Sequence, residues 1–424
     1  MSSSRRRMRV AGALAITLAL ALTACTAPGY ARSKLPSSAS ASLPKETADA
    51  LKAAVDSAMA QSASSGVVAG VWAPWAGEWT TASGTTTIGG HTPMNTDEHF
   101  RIGELTRGMT CTVLLRLVEE KVVRLDEQLI DVLPSVPGTD GITLGQLCQG
   151  TSGLADYSTM LAGQFAQNPE RIWPPLELAS NGLAGGRVAA PGTVWASSDT
   201  GYVLLGMALQ ARTTRSWSDL YNQYVLSPLG LNGTAFPDAA TLTVPGSHPA
   251  GYLAPRGGDG NVVCDAVRDV SRTSPSSGWT AGGMVSSLDD LHTWAQALAT
   301  GALVSKTSYK AQWQTVPFSA DAPSWQGYGL GAAQYGPLRG ASAAAGGYLS
   351  AAYSDPGSGL TVAVMLNNAT AGKDFARSVA LQLASIAAKA ASSSGRERPE
   401  IALPWSADQM AEAQKAAAVC QPAA

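Results

Sequence analysis

Apolar residues recur along this chain with two different periods, which divide it into helices and strands. Between residues 100 and 121 they recur every three or four positions, the spacing of an amphipathic helix. Two short runs rich in β-branched or aromatic residues, 67–72 and 78–87, flank a turn and predict a β-hairpin. Further helices are predicted at 44–60, 142–148, 200–211, 216–226 and 374–391, and further strands at 328–335, 347–354 and 361–367.

The N-terminus has the layout of an export signal. Arg5, Arg6, Arg7 and Arg9 precede an apolar run that is too short to span a membrane comfortably and that ends in Leu-Thr-Ala-Cys25. These four residues resemble a bacterial lipobox, in which the cysteine is lipidated and becomes the first mature residue. We therefore expect a lipoprotein signal peptide at 1–24 and a protein anchored to the outer face of the bacterial cell membrane. The alternative is an ordinary signal peptide followed by a chance cysteine.

Composition limits the possible partners and domains. Charged residues make up 14% of the chain and the net charge is −2, so neither nucleic acid nor an anionic membrane surface is expected as a partner. The segment 25–44, rich in Ser, Ala and Pro, is expected to be a flexible tether. The four histidines show no metal-ligand spacing, and neither a metal nor a cofactor is expected.

Four cysteines remain after Cys25. An even number in an exported protein permits two disulfides with three possible connectivities. Cys111 lies one helical turn beyond Arg107, and Cys148 ends the next helical segment, whereas Cys264 lies in a polar loop and Cys420 in the tail. We favour Cys111–Cys148 and Cys264–Cys420 over the other pairings and over four free thiols.

Four segments resemble motifs of a single enzyme family. The helix at 100–121 resembles the one that carries S-x-x-K in penicillin-recognising serine enzymes. The turn 150–154 resembles H-x-S-G-L with glycine in place of histidine, 227–231 resembles P-L-G-L/M, and 278–291 is a further close match. Their order and spacing are those of class C β-lactamases and D-alanyl-D-alanine carboxypeptidases.

The resemblance implies an α+β fold. We expect a β-lactamase/transpeptidase-like domain over 45–391, with an antiparallel sheet flanked by helices, a mostly helical subdomain and a cleft between the two. Residues 392–424 are then an additional C-terminal tail.

The positions aligned with the catalytic residues are altered in all three family motifs. Glu104 replaces the nucleophilic serine and Arg107 replaces the lysine that takes its proton. The family's Y-x-N becomes Ser197 and Asp199, so the proton-shuttling phenol is missing. The third motif, H/K-T-G, becomes Ala341, Ser342 and Ala343, where the alanine methyl is expected to crowd the cleft.

One literal S-x-x-K string joins Ser42 to Lys45. Pro44 lies inside it and keeps Ser42 out of helical geometry, so the two side chains are not expected to share a helical face. The string also precedes the hairpin, whereas the family's motif follows it. The degenerate alignment at Glu104 is therefore preferred.

These replacements leave several functions open. The first is a non-catalytic binding or regulatory module of the cell envelope, which takes a peptidoglycan-like peptide or an envelope protein as its partner. The alternative is a repurposed hydrolase that uses Glu104 and Asp199 for acid–base work, or Ser197 as nucleophile. Arg107 is expected to lower both carboxylate pKa values, which disfavours that alternative. A third possibility is an interaction protein whose tail makes the contacts.

The spacing of Glu104 and Arg107 also predicts a structural contact. Three residues apart on a helix, their side chains share one face. The family arrangement places Asp199 close to Arg107. We therefore expect the guanidinium to bridge Glu104 and Asp199 across the subdomain boundary.

Overall fold

The computed structural model describes residue 39 and residues 41–421, so Cys25 and the predicted signal segment lie outside the described residues. The strands are β1 Gly66–Ala73, β2 Gly77–Gly84, β3 Phe100–Arg101, β4 Tyr252–Leu253, β5 Arg268–Asp269, β6 Val285–Ser286, β7 Gln326–Tyr328, β8 Ala333–Tyr335, β9 Leu338–Ala345, β10 Tyr348–Ser354 and β11 Thr361–Leu366. The helices are α1 Lys45–Gln61, α2 Thr106–Glu119, α3 Leu129–Val132, α4 Leu144–Gln149, α5 Tyr157–Met160, α6 Ala162–Gln167, α7 Pro175–Ala184, α8 Asp199–Thr213, α9 Trp217–Tyr221, α10 Ser227–Leu229, α11 Trp279–Gly282, α12 Leu288–Thr300, α13 Lys306–Gln312, α14 Lys373–Ala387 and α15 Ala407–Ala416.

A seven-stranded antiparallel sheet forms one half of the molecule. Its strand order is β2-β1-β11-β10-β9-β8-β7, which joins strands from both ends of the chain. Alternate residues of β1 enter two different cores: Val67 packs with α1 and α14, and Val68 packs with the helical subdomain. Because helices cover both faces, β1 is buried along its whole length.

The helical half is inserted between β3 and β7. Its central helix, α2, has a buried residue at nearly every position because α8, α9 and α11 pack around it. Cys111 on α2 is disulfide-bonded to Cys148 on α4, as predicted. The sheet and this helical subdomain meet at the start of α2, which confirms the expected α+β architecture.

The tail folds back onto the sheet half. Trp405 is buried against α14, where its indole N–H donates to the Leu381 carbonyl at 3.0 Å. Helix α15 then packs on α14 and α1. The second predicted disulfide, Cys264–Cys420, fixes the end of this segment to the loop before β5.

The predicted strand at 328–335 is wrong in one respect. The chain forms two short strands there, β7 and β8, and the Gly329 N–H donates to the Ala332 carbonyl in the turn between them. Gly331 has a φ of +83°, a conformation that favours glycine, and its N–H donates to the Cys148 carbonyl. The turn thus reaches back to the helical subdomain, which local periodicity does not reveal.

The described part of the chain, residue 39 and residues 41–421, holds no helix that is both long and apolar enough to cross a bilayer.

Candidate functional site

An open cleft lies where the sheet meets the start of α2. Its main cavity has a volume of about 370 Å³. Five of the predicted site residues line it: Glu104, Arg107, Ser197, Ala341 and Ser342. Asp199 lines an adjoining cavity of about 210 Å³, and Glu104 lines both. The structure therefore brings all six predicted positions to one place.

Glu104 lies in a 3₁₀ turn, Gly103–Leu105, that leads into α2. Gly103 has a φ of +45°, and a Cβ atom there would lie 3.0 Å from the methyl groups of Ala343 and Ala345. Glycine thus lets this turn approach β9 closely. The approach allows the Ala344 N–H to donate to Glu104 Oε2 at 3.1 Å.

The second partner of Glu104 comes from the far end of the chain. Lys373 Nζ donates to Glu104 Oε1 at 3.0 Å. Lys373 is the first residue of α14, where the helix dipole disfavours a cation. The Glu104 carboxylate compensates for that placement, so this ion pair fastens the start of α14 to the cleft.

Arg107 makes the other ion pair of the cleft. One nitrogen donates to Asp199 Oδ1 at 2.5 Å and another donates to the Ser197 hydroxyl at 3.0 Å. The guanidinium also lies over the Tyr202 ring, 4.9 Å from its centre. Since Arg107 lies in the first turn of α2 and Asp199 begins α8, this pair joins two helices of the helical subdomain.

The expected bridge from Arg107 to both carboxylates is therefore half wrong. The guanidinium reaches Asp199, but the Glu104 carboxylate turns to Lys373 and the Ala344 N–H. The reason is that Glu104 precedes α2 proper, in the 3₁₀ turn, so the helical spacing that predicted a shared face does not apply to it. Lys373 was missed because its pairing depends on how α14 docks.

The two carboxylates titrate in opposite directions. Burial raises the pKa of Glu104, but Lys373, Arg107 and the N–H donors outweigh it, so the pKa is lowered overall. Burial raises the pKa of Asp199, and Arg107 only partly opposes that shift. Arg107 thus lowers the pKa of both carboxylates, as expected, but for Asp199 burial outweighs it and the pKa is raised overall.

The two cations stay charged. Glu104 raises the pKa of Lys373 against the effect of burial. Burial lowers the pKa of Arg107, but Asp199 and the nearby tyrosines raise it by more. Neither residue can therefore act as a base at neutral pH. The hydroxyl of Ser197 faces a permanent cation that cannot accept its proton.

Strand β9 forms the sheet side of the cleft. Its pairing with β8 ends at Gly340, so the following residues, 341–345, leave an edge open towards the cleft. Ala341 and Ser342 line the main cavity there. The expected crowding by Ala343 is wrong: its methyl group is buried in the core against Gly103 and does not enter the cleft.

Aromatic residues that sequence reasoning did not identify form the wall of the main cavity, namely Trp195, Phe318, Tyr328, Tyr335 and Tyr353. Trp195 and Phe318 meet edge to face, with ring centres 4.8 Å apart. A Cβ atom on Gly150 would lie 2.8 Å from the Trp195 indole nitrogen. The glycine that replaces the family's histidine thus makes room for the indole.

Two further charged residues of the cleft were also missed. Arg377 and Asp374 line the main cavity and pair with each other at 2.6 Å. Lys373 and Arg377 are four residues apart at the start of a helix, a spacing that puts both on one face and could have identified them.

Among residue 39 and residues 41–421, no group of three or more His, Cys, Asp or Glu side chains is placed to hold a metal ion.

Comparison with solved structures identifies close counterparts of this fold. A D-stereospecific amidohydrolase from Streptomyces sp. superimposes with a TM-score of 0.68 at 29% identity, over 76% of this chain and 94% of that protein. D-amino acid amidase from Ochrobactrum anthropi SV3 superimposes with a TM-score of 0.65 at 25% identity, over 76% of this chain and 91% of the amidase.

Curated relatives match over shorter stretches. Penicillin-binding protein 4 of Amycolatopsis lactamdurans is 31% identical over 36% of this chain and 39% of its own length. The D-alanyl-D-alanine-carboxypeptidase/endopeptidase AmpH of Escherichia coli K12 is 30% identical over 36% of this chain and 40% of its own. The chain thus spans about two fifths of the length of these relatives.

A family profile described as Beta-lactamase matches residues 51–385, from within α1 to near the end of α14. This range contains both halves of the fold and the whole cleft, and ends before the tail. With most of its length matched, this chain belongs to the beta-lactamase family.

Proposed function

We propose that this protein is a non-catalytic binding module of the bacterial cell envelope. The observation that carries the proposal is the state of Glu104. At the position aligned with the family's nucleophile, it presents a carboxylate that is held by Lys373 and by the Ala344 N–H. Acyl transfer needs an activated nucleophile, and an ionised carboxylate paired with a lysine does not provide one.

No neighbouring group among the residues that the structure describes supplies the missing chemistry. The hydroxyl of Ser197 accepts a hydrogen bond from Arg107, so its nearest titratable partner is a cation without proton-accepting capacity. Lys373, the one lysine among the described residues that line the main cavity, has a raised pKa and remains protonated. The family's nucleophile–base pair therefore has no replacement among these residues.

The cleft nevertheless keeps the features of a peptide site. The open edge of β9 offers main-chain groups to an extended peptide, and the aromatic wall offers a surface to an apolar side chain. The similar solved structures are described as a D-stereospecific amidohydrolase and a D-amino acid amidase, and AmpH as a D-alanyl-D-alanine-carboxypeptidase/endopeptidase. We therefore propose that the ligand is a peptidoglycan-like peptide that contains D-residues.

A binding measurement tests this function. Purified mature protein is titrated by calorimetry with an acetylated, amidated tripeptide that has a central D-phenylalanine, and separately with its L-epimer. The D-peptide is expected to bind at least about tenfold more tightly, which corresponds to about 1.4 kcal/mol, and mass spectrometry should recover it uncleaved. Equal binding of both epimers, or cleavage of the D-peptide, would contradict the proposal.

Two matched variants locate the binding. Phe318→Ala shortens the aromatic wall of the cavity and should weaken binding of the D-peptide. Phe236→Ala is the control, because Phe236 packs against Tyr221 in the helical subdomain, with ring centres 5.1 Å apart. Binding that falls equally in both variants would place the peptide elsewhere.

The envelope location is a separate part of the proposal and rests on the signal that ends at Cys25. Wild type and Cys25→Ser are expressed in a bacterial host and compared by fractionation and by mass spectrometry. We expect the variant to lose a lipid-dependent mass and to leave the membrane fraction. A variant with the same mass and fractionation as wild type would exclude the lipid anchor.

One observation favours a second function, a repurposed hydrolase. Glu104 and Asp199 both line the smaller cavity, and their pKa values are shifted in opposite directions, as in acid–base pairs. One of the curated relatives, AmpH, is also described as a carboxypeptidase/endopeptidase. If this function holds, wild type should hydrolyse the D-peptide amide slowly, and Asp199→Asn should abolish turnover while peptide binding persists.

A further inference from the structure

The Glu104 carboxylate lies in a position that is built to receive an anion. Main-chain and side-chain donors converge on it from three different segments: the 3₁₀ turn, strand β9 and helix α14. The Ala344 N–H belongs to the edge of β9 that β8 leaves unpaired, and in this structure it donates to Glu104 Oε2. Lys373 adds a cation that is about two fifths exposed. Such donors bind carboxylates and other oxyanions.

Three cations that line the main cavity are paired with carboxylates, whereas a fourth cation, Arg101, lines the smaller cavity and donates to main-chain carbonyls. Arg107 is matched by Asp199 and Arg377 by Asp374, which leaves Lys373 for Glu104. Removal of the Glu104 side chain would therefore leave one uncompensated positive charge beside a free N–H donor. The space that the side chain vacates opens onto both cavities, because Glu104 lines each of them.

We propose that the Glu104 carboxylate is an internal ligand, which occupies an anion-binding hole formed by Lys373 and the Ala344 N–H and keeps the carboxylate of an external ligand out. This inference rests on the proposed binding function and adds a statement about ligand class. The wild-type cleft accepts an uncharged segment, such as a peptide amide, beside Glu104. A free C-terminal carboxylate there would lie against the Glu104 carboxylate and be repelled.

A preference switch tests the proposal. N-acetyl-D-phenylalanine amide and N-acetyl-D-phenylalanine differ only in the group expected to face Glu104. Wild type should bind the amide at least tenfold more tightly than the acid. Glu104→Ala should reverse the order, because the acid then supplies the carboxylate that the hole has lost. An unchanged order in the variant would overturn the proposal.

A second measurement tests the anion-binding hole with acetate, a carboxylate that lacks the aromatic side chain of the D-phenylalanine compounds. Thermal melts of Glu104→Ala are recorded in sodium acetate and in sodium chloride at equal ionic strength. Acetate should raise the midpoint of the variant in a concentration-dependent manner, because a ligand of the folded state stabilises it by mass action. Wild type should respond equally to both salts. No acetate-specific effect in the variant would contradict the proposal.

Two control variants separate the hole from general effects. Glu104→Gln fills the space with an uncharged group of the same size and should not respond to acetate. Glu104→Ala combined with Lys373→Met removes the cation and should lose most of the acetate response. If Glu104→Ala does not fold, Glu104→Ser replaces it. Failure of both to fold in either salt would overturn the proposal, because Glu104 would then be indispensable to the fold.

The outcomes also separate this inference from the proposed function. Hydrolysis of the amide by wild type would contradict the non-catalytic function, whereas the acetate response of Glu104→Ala would still stand. Conversely, if wild type leaves the amide uncleaved while Glu104→Ala keeps the wild-type preference for the amide over the acid, the binding function stands and the internal-ligand proposal is wrong.

Discussion

The cleft has two ion pairs that differ in burial and in what they connect. Arg107–Asp199 joins two helices of the helical subdomain, and the Arg107 side chain is 5% exposed. Glu104–Lys373 joins the turn before α2 to the start of α14, and the Lys373 side chain is 40% exposed. Burial makes the first pair costly to break, whereas solvent screens the second. We conclude that the first pair maintains the fold and that the second controls what the cleft admits.

The largest expected effect tests the structural role of the buried pair. Arg107→Ala should lower the free energy of unfolding by about 3–5 kcal/mol, because it leaves a buried carboxylate unpaired. Urea denaturation of wild type and variant measures the difference. The control is Arg107→Met combined with Asp199→Asn, which removes both charges and should cost less than the single change. If Arg107→Ala is as stable as wild type, the two ion pairs do not differ in their contribution to stability.

The next effect concerns the disulfide that supports the helical side. Cys111 lies one turn after Arg107 on α2, and its bond to Cys148 closes a separation of 37 residues. Replacement of both cysteines by alanine should cost about 2–4 kcal/mol, chiefly by loosening the unfolded chain. The same change at Cys264 and Cys420, separated by 156 residues, is the comparison. Replacement of Cys264 and Cys420 should leave the preference of the cleft for the amide over the acid unchanged.

The smallest effect is a pH dependence of the exposed pair. The pKa of Glu104 is lowered in the folded state. Its contribution is therefore fully present above the unfolded value of about 4.3 and is lost as pH falls through the folded value. Because Lys373 is partly exposed, the contribution should be at most about 1 kcal/mol.

Melting temperatures of wild type and Glu104→Gln between pH 7 and pH 3 measure this contribution. The excess of the wild-type melting temperature over that of Glu104→Gln should decrease as the pH is lowered. An advantage that grows as the pH falls would contradict the assigned direction of the Glu104 shift.

The sequence predicts well which site residues lie together in the fold, because the order of the family's motifs carries long-range information. Glu104, Asp199 and Ala341 are far apart in the chain, yet their alignment with three motifs brings them to one cleft. Both disulfide pairings are confirmed: Cys111 and Cys148 lie on helices that carry or lead into family motifs, whereas Cys264 lies in a loop and Cys420 in the tail, outside the motifs.

The contacts that sequence reasoning missed depend on which side chains meet in the folded structure. Glu104 has two cations within reach, Arg107 three residues away and Lys373 269 residues away, and local spacing favoured the wrong one. The docking of α14 against the cleft decides the pairing, and no local pattern encodes that docking. The aromatic wall was missed because its rings come from separate strands and loops and meet only once the chain has folded.

The central claim is that the cleft binds without acyl transfer, and intact-protein mass spectrometry tests it most directly. Wild type is incubated with a penicillin and with a D-phenylalanine ester, beside the Glu104→Ser/Arg107→Lys variant that restores the family's serine and lysine. The account predicts an unmodified wild-type mass with both reagents. A covalent adduct of full drug mass on wild type, at Ser197, Ser198 or any residue from 104 to 107, would contradict it.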